Sequence, residues 1–358
     1  MNVDESAIPS RGFWAEAWQR FRGKWIPMAA LMVVVGLAVV ALLAPAIAGT
    51  KPIVCKYKGR LYFPALAYWN RGLENPVFFV DRFHKRYPEN LTQKDPDSWA
   101  VYPLVFQDPY RRVRDGEREG QAGNRVGAAP SLRNWFGTDH SGVDVFAQMV
   151  HGTSIALMVG FVSMGIAAAI GITIGACAGY FGGWIDILLS RFIELVMCIP
   201  TLVLILALLA ILETPTIWHL MAIIGCTSWT GIARLTRGEF LRLKQLEYVV
   251  AARALGVGSV AIMFRHVLRN ALAPILVPIT FGIAAAILVE SGLSFLGFGA
   301  PPPNPSWGTL LNAGRSNMES WWLILFPGFA IFLTVLSYNL IGEGIQAATD
   351  PRLRQSQH

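Results

Sequence analysis

Charge is scarce in this chain. Only 15% of its 358 residues are charged, against roughly a quarter in soluble domains. The deficit is uneven: long charge-free windows alternate with charged patches, which excludes an ordinary soluble domain and points to a membrane protein. Catalytic signatures are also missing. No GxxxxGK[ST], HExxH or GxSxG occurs, so the chain offers no loop to cradle phosphates, no zinc-protease helix and no hydrolase elbow. Any nucleotide hydrolysis that drives it belongs to another chain. The four cysteines, Cys55, Cys177, Cys198 and Cys226, form no CxxC pair and no His/Cys cluster, so neither a disulfide framework nor a zinc site is expected. His151 and His219 lack a second ligand at helical spacing. The net charge of +7 is not gathered into one stripe and accompanies no nucleic-acid motif.

Six apolar windows are present: residues 26–48, 151–178, 195–212, 217–233, 271–289 and 321–341. The first runs 23 residues without a charge, longer than the roughly 7–15 of a signal-peptide core, so it reads as a retained anchor despite the Ala46-Ile47-Ala48 triplet at its end. At 1.5 Å per residue it spans about 35 Å, enough for a hydrocarbon core near 30 Å. Pro200, Pro274, Pro278 and Pro327 lie inside or beside spans and predict kinks there. Before the first span, Phe13, Trp14, Trp18, Phe21 and Trp25 recur at helical steps among Arg20, Arg22 and Lys24. That pattern fits either an amphipathic interfacial helix or an aromatic belt with basic flanks, and both hold this end at membrane lipid.

Basic residues set the orientation. Arg11, Arg20, Arg22 and Lys24 precede the first span; Arg234, Arg237, Arg242, Lys244, Arg253, Arg265 and Arg269 separate the fourth and fifth; Arg352 and Arg354 follow the last. Six spans put these three places on one side, the cytoplasmic one, with both termini. Residues 49–140 then fall outside, although they carry fifteen Lys and Arg; a loop longer than roughly 60 residues escapes the rule. This segment reads as a small external domain or ordered loop, with Asp95-Pro96-Asp97 and Asp108-Pro109 as turns and residues 111–133 as its mobile part. The expected divisions are an interfacial segment (1–25), the first span (26–48), the external insert (49–140), a core of five further spans (145–345) and a tail (346–358).

Residues 234–270 are too polar to cross a membrane and too patterned for a slack loop. Good helix formers fill 245–255, Gly256 and Gly258 break the run, and Ser259 suits the N-cap of a second helix reaching Leu268. Ala251, Ala252 and Ala254 present a low surface, and so short a helix needs something to pack on. It is a docking element.

At these residues a family resemblance emerges. Glu247-Tyr248-Val249-Val250-Ala251-Ala252-Arg253-Ala254-Leu255-Gly256 resembles the Glu-Ala-Ala loop of binding-protein-dependent ABC importer permeases, in the peptide and nickel branch and its C-type subunits. Phe136-Gly137-Thr138-Asp139 through Asp144, Glu290-Ser291-Gly292-Leu293-Ser294 with Pro305-Ser306-Trp307-Gly308, and Asn339 to Gly344 with Asp350-Pro351-Arg352 are similar to that branch's other motifs, in order. Three positions depart from it: Val250 replaces a glutamate, Val143 an arginine, and Arg269 stands where a proline is common. The long insert is similar to that of the microcin C permease branch.

The resemblance implies an all-α, six-helix type I ABC importer permease of the bacterial inner membrane, with an extra periplasmic loop domain between helices 1 and 2. It implies a second permease subunit, two ATPase subunits and a periplasmic binding protein as partners, no cofactor on this chain, and ATP with Mg on the ATPases. Glu247, Tyr248, Ala251, Ala252, Arg253, Leu255 and Gly256 would seat the ATPase, and Glu290, Ser291 and Ser294 would line the translocation path. Arg253, Arg265 and His266 would touch the ATPase or anionic lipid. Bland alternatives stand beside these: Glu247 as a helix starter, Arg253, Arg265 and His266 as a solvated face, Glu290 at the water boundary, Arg191 and Glu194 as a structural pair. The substrate expected is a peptide or peptide conjugate, with nickel or dipeptides as alternatives. Two other classes compete, a membrane enzyme with a catalytic external domain and a secondary transporter acting alone. Asp81, His84, Asp108 and Asp139 lack catalytic spacing, and the mid-span positions are nearly free of relay charges.

Overall fold

A computed structural model describes residues 13–69, 95–115, 117, 122–299, 304–316 and 319–349. Arg11, Asp81, His84, Pro301–Pro303 and Asp350-Pro351-Arg352 lie outside them. Helix α1 (Phe13–Arg22) precedes α2 (Trp25–Ile47). Ala17 and Phe21 are buried on one face of α1 while Trp14 and Trp18 stay exposed, as an amphipathic helix requires.

The bundle forms around α3 (Val145–Phe181), which is longer at both ends than the apolar window that announced it. Its start is fixed by the Gly-Thr-Asp motif. The Asp144 carboxylate caps the helix by accepting from the Ala147 amide at 2.8 Å and from Asn134 at 2.7 Å. Asp139 accepts from the amides of Ser141 and Val143 and from Gln148, closing the preceding turn. Val143 therefore serves this turn through its backbone.

Helices α4 (Gly183–Met197) and α5 (Thr201–Ala210) follow, then α6 (Ile217–Thr227) and α7 (Thr230–Leu243). The window 195–212 is not one straight helix. It is divided by a 79° bend at Cys198–Pro200, because Pro200 cannot donate to the helix and ends α4. The window 217–233 is likewise broken, at Ser228–Trp229. Helix α7 packs on a seam of Gly171, Gly175 and Gly179 in α3. A Cβ at Gly171 would lie 2.7 Å from the Trp229 carbonyl oxygen, and one at Gly179 would lie 2.6 Å from that of Arg237. Small residues four apart let two backbones approach where lipid offers no hydrophobic drive. Arg237 of α7 also forms a two-pronged ion pair with Asp186 of α4.

After α8 (Glu247–Ala254), helix α9 runs unbroken over Ser259–Phe295, with a π-helical turn at Ile262–Val267, and passes through Pro274 and Pro278 as a continuous helix. Helices α10 (Trp307–Arg315) and α11 (Trp322–Thr349) are the last among the described residues. Trp307 is 1% exposed and its indole N–H donates to the Met149 carbonyl, and Trp322 donates to that of Thr138. Among the described residues four helices (α2, α3, α9 and α11) are long and apolar enough to span a membrane, and α4 with α5 makes a fifth if the bent pair counts as one.

The insert holds a three-stranded antiparallel sheet, in which β1 (Val54–Tyr57) pairs with both β2 (Arg60–Tyr62) and β3 (Trp99–Val101). Beneath it lies a buried polar network. The Thr50 hydroxyl and the Tyr68 phenol donate to Asp108 at 2.7 and 3.1 Å, and Arg111 grips Glu117 through both guanidinium prongs at 2.7 and 2.8 Å. The phenol packs edge-on to His151 of α3, which bonds the Ala48 carbonyl at the end of α2. Within the stretch 111–133, Glu117 also accepts from the Arg114 amide.

Candidate functional site

The segment after α7 is pinned before α8 begins. Lys244 donates to the carbonyls of Gly179 and Tyr180 at the end of α3, at 2.7 and 3.3 Å, which places a cation where the helix dipole is negative. Helix α8 starts at Glu247, two residues later than the run of helix formers, and buries Val249 and Ala252. Its termination is a Schellman motif: the Gly256 amide donates to the Arg253 carbonyl and the Val257 amide to that of Ala252, both near 3 Å. Gly256 adopts φ +80°, with no atom within 4 Å of a notional Cβ. Backbone sign rather than lack of space demands glycine there.

Ser259 is not the cap it was expected to be; Gly258 occupies that position without a side-chain bond, and Ser259 is the first helical residue. Nor does the second helix stop at Leu268. It continues as α9, so the turn at Gly256 is joined to a helix spanning the bundle. Tyr248 strengthens the joint, its phenol accepting from the Asn270 side chain at 2.9 Å.

What remains is an outward face. Tyr248, Val250, Leu255, Val260 and Phe264 are exposed, Leu255 at 83%. Glu247, Ala251, Arg253 and Arg265 surround them, also exposed, while Arg253 lies over the Tyr180 ring at 5.8 Å. Exposed apolar side chains are here rimmed by charged ones. Nothing in this arrangement is acid–base machinery; it is a firm surface on a long lever. No group of His, Cys, Asp and Glu among the described residues could hold a metal ion.

Residues 171–355 match the family described as the binding-protein-dependent transport system inner membrane component, and residues 12–58 match the N-terminal TM domain of oligopeptide transport permease C. The chain belongs to this permease family. It is a transport subunit of a binding-protein-dependent importer in the inner membrane, of the peptide-type branch its motifs indicated. The permease is 40% identical to the dipeptide transport system permease protein DppC of Alkalihalophilus pseudofirmus, over 66% of this chain and 77% of that one. It is 34% identical to the peptidoglycan transport system permease protein YejE of Agrobacterium fabrum, over 94% and 92%. The latter match is too extensive to omit the insert. The glutathione transport system permease protein GsiD of Pectobacterium atrosepticum is 38% identical over 64% and 77%.

The permease's other expected site residues lie at the far end of α9. Glu290, Ser291 and Ser294 are buried; Ser294 donates to the Glu290 carboxylate at 2.6 Å. Helix α10 presses on them, for a Cβ at Gly308 would meet the Ser291 carbonyl oxygen at 2.5 Å and the Ser294 Cβ at 2.6 Å. About 47 Å of helix separates Ser259 from Glu290 at 1.5 Å per residue, so the two sets share an element without touching. Three features had no signal in the motifs: the Lys244 clamp, the Tyr248–Asn270 tether and the Arg237–Asp186 pair. Only the basic residue closing α7 hinted at the first.

Proposed function

We propose that the permease pairs with a second permease subunit around a central path and moves peptides or peptide-like compounds inward. Two ATPase subunits dock on Glu247, Tyr248, Ala251, Ala252, Arg253, Leu255 and Gly256, and an external binding protein delivers cargo from the opposite side. In this reading α6 and α7 together make a sixth crossing, both termini are cytoplasmic, and residues 49–140 form an external loop domain over the core of 145–345. The substrate class rests on the relatives, whose names specify dipeptide, peptidoglycan and glutathione transport.

One observation carries the mechanism: the outward face of α8 is joined through Gly256 to a helix running the full depth of the bundle. Closure of an ATPase groove around α8 would tilt α9 as a rigid body, whereas a slack loop would absorb the motion. Glu290, Ser291 and Ser294, at the outer end of that lever, would register the tilt by shifting against α10, the path being lined there through their movement.

The test is ATP-dependent peptide uptake by cells carrying Gly256→Leu. A β-carbon in the left-handed region costs about 1–2 kcal/mol and turns the chain away from its exit direction. Uptake should fall at least tenfold with normal membrane insertion. Unchanged uptake would remove the coupling role.

A further inference from the structure

A cavity of 1010 Å³ opens between α7, α9 and α11, beside the end of the bundle to which α8 is tied. Its chemistry is unlike that of a lipid-facing groove. Glu239 and Arg242 line it and neutralise each other at 2.7 Å. Arg234 also lines it and is exposed. Among the described residues it is a lining cation without an acidic partner.

Helix α9 contributes acceptors. Asn270, Pro274 and Pro278 line the cavity on α9. Proline has no N–H, so Pro274 cannot donate to the Asn270 carbonyl, nor Pro278 to that of Pro274. Two successive carbonyls thereby lose their regular helical donors, an arrangement tolerated at membrane depth where something else satisfies them. Four residues of helix separate them by about 6 Å; alternate N–H groups of an extended chain lie about 6.6 Å apart. The cavity is thus lined by Arg234 on α7 and, on α9, by two residues one turn apart whose carbonyls lack their regular donors.

We infer that this cavity is an inner holding station for the transported peptide. Arg234 receives its C-terminal carboxylate, and the carbonyls of Asn270 and Pro274 receive its backbone N–H groups. The inference rests on the reading of the chain as a peptide permease. It also gives the Tyr248–Asn270 bond a use, since Asn270 belongs at once to the station and to the tether on α8. Movement of α8 would then reach the cargo directly.

The experiment uses inside-out membrane vesicles carrying the assembled transporter with Val277→Cys, a lining position, and follows alkylation at residue 277 by mass spectrometry. Trialanine should slow the reaction, and trialanine amide should need about tenfold more peptide for the same protection, the worth of one charge-assisted hydrogen bond. Adding Arg234→Gln should abolish that difference, and Arg234→Lys should keep it. Absence of protection, or equal protection by both peptides with Arg234 intact, overturns the station. Trialanine uptake by whole cells separates the two levels: uptake without protection sinks the station alone, and no uptake sinks the peptide reading with it.

Discussion

The segment around Gly256 and the stretch around Asp108 treat their side chains in opposite ways. In the insert, Thr50, Tyr68, Asp108, Arg111 and Glu117 satisfy one another, and Glu117 keeps only 5% of its side chain exposed. Around α8 the backbone is secured by Lys244 and the Schellman turn, while Tyr248, Val250, Leu255 and Phe264 face outward. Groups satisfied internally hold a fold together. Around α8 the backbone is firm while the apolar side chains are left uncovered by this chain, the arrangement the proposed ATPase contact would complete.

Swapping the damage between the two regions would break or sharpen this contrast. The largest effect belongs to Gly256→Leu, which should cut coupled transport at least tenfold, far more than a fold cost of about 1–2 kcal/mol would explain. Arg111→Met should do the reverse. It leaves the buried Glu117 carboxylate without its guanidinium, costing about 2 kcal/mol, so the midpoint should drop by several degrees while uptake per folded molecule persists. If Arg111→Met instead abolished uptake at full stability, the insert would be part of the transport machinery. The smallest effect concerns Cys55, buried in the sheet, whose thiol is pushed up to about 11 by burial. Thiolate forms only as pH rises toward that value, so at pH 8 Cys55 should resist maleimide in the folded protein and react once it is denatured.

Much of the segment around Gly256 was legible because its signals are local. Gly256 ends a run of helix formers, and a positive φ is what glycine supplies there. The spans at α2 and α11 were equally plain from hydropathy. The extent of α9 was not: Arg265, His266 and Arg269 lower hydropathy and mimic a loop, but charge does not stop a helix, and no breaker follows Gly258 before Pro274. Helix α7 was hidden for the same reason, its Arg234, Arg237 and Arg242 looking like connection rather than helix. Pro200 announced a kink, and only packing against neighbours decides that it becomes a 79° bend. Contacts between distant residues carried no signal. Thr50 meets Asp108 across 58 positions and Tyr248 meets Asn270 across 22, and neither pair has a spacing that chemistry could announce. Glu290 stood out as an acid at the end of an apolar window, yet its burial under α10 depends on Gly308, whose smallness has meaning only in three dimensions.

The most direct test is to replace Leu255 with cysteine and treat membranes of cells expressing the whole transporter with a short bifunctional thiol reagent. The expected result is a product joining this permease to an ATPase subunit, and no labelling of residue 255 by membrane-impermeant maleimide added to intact cells. Labelling from outside, or cross-linking to every neighbour except the ATPase, would contradict it.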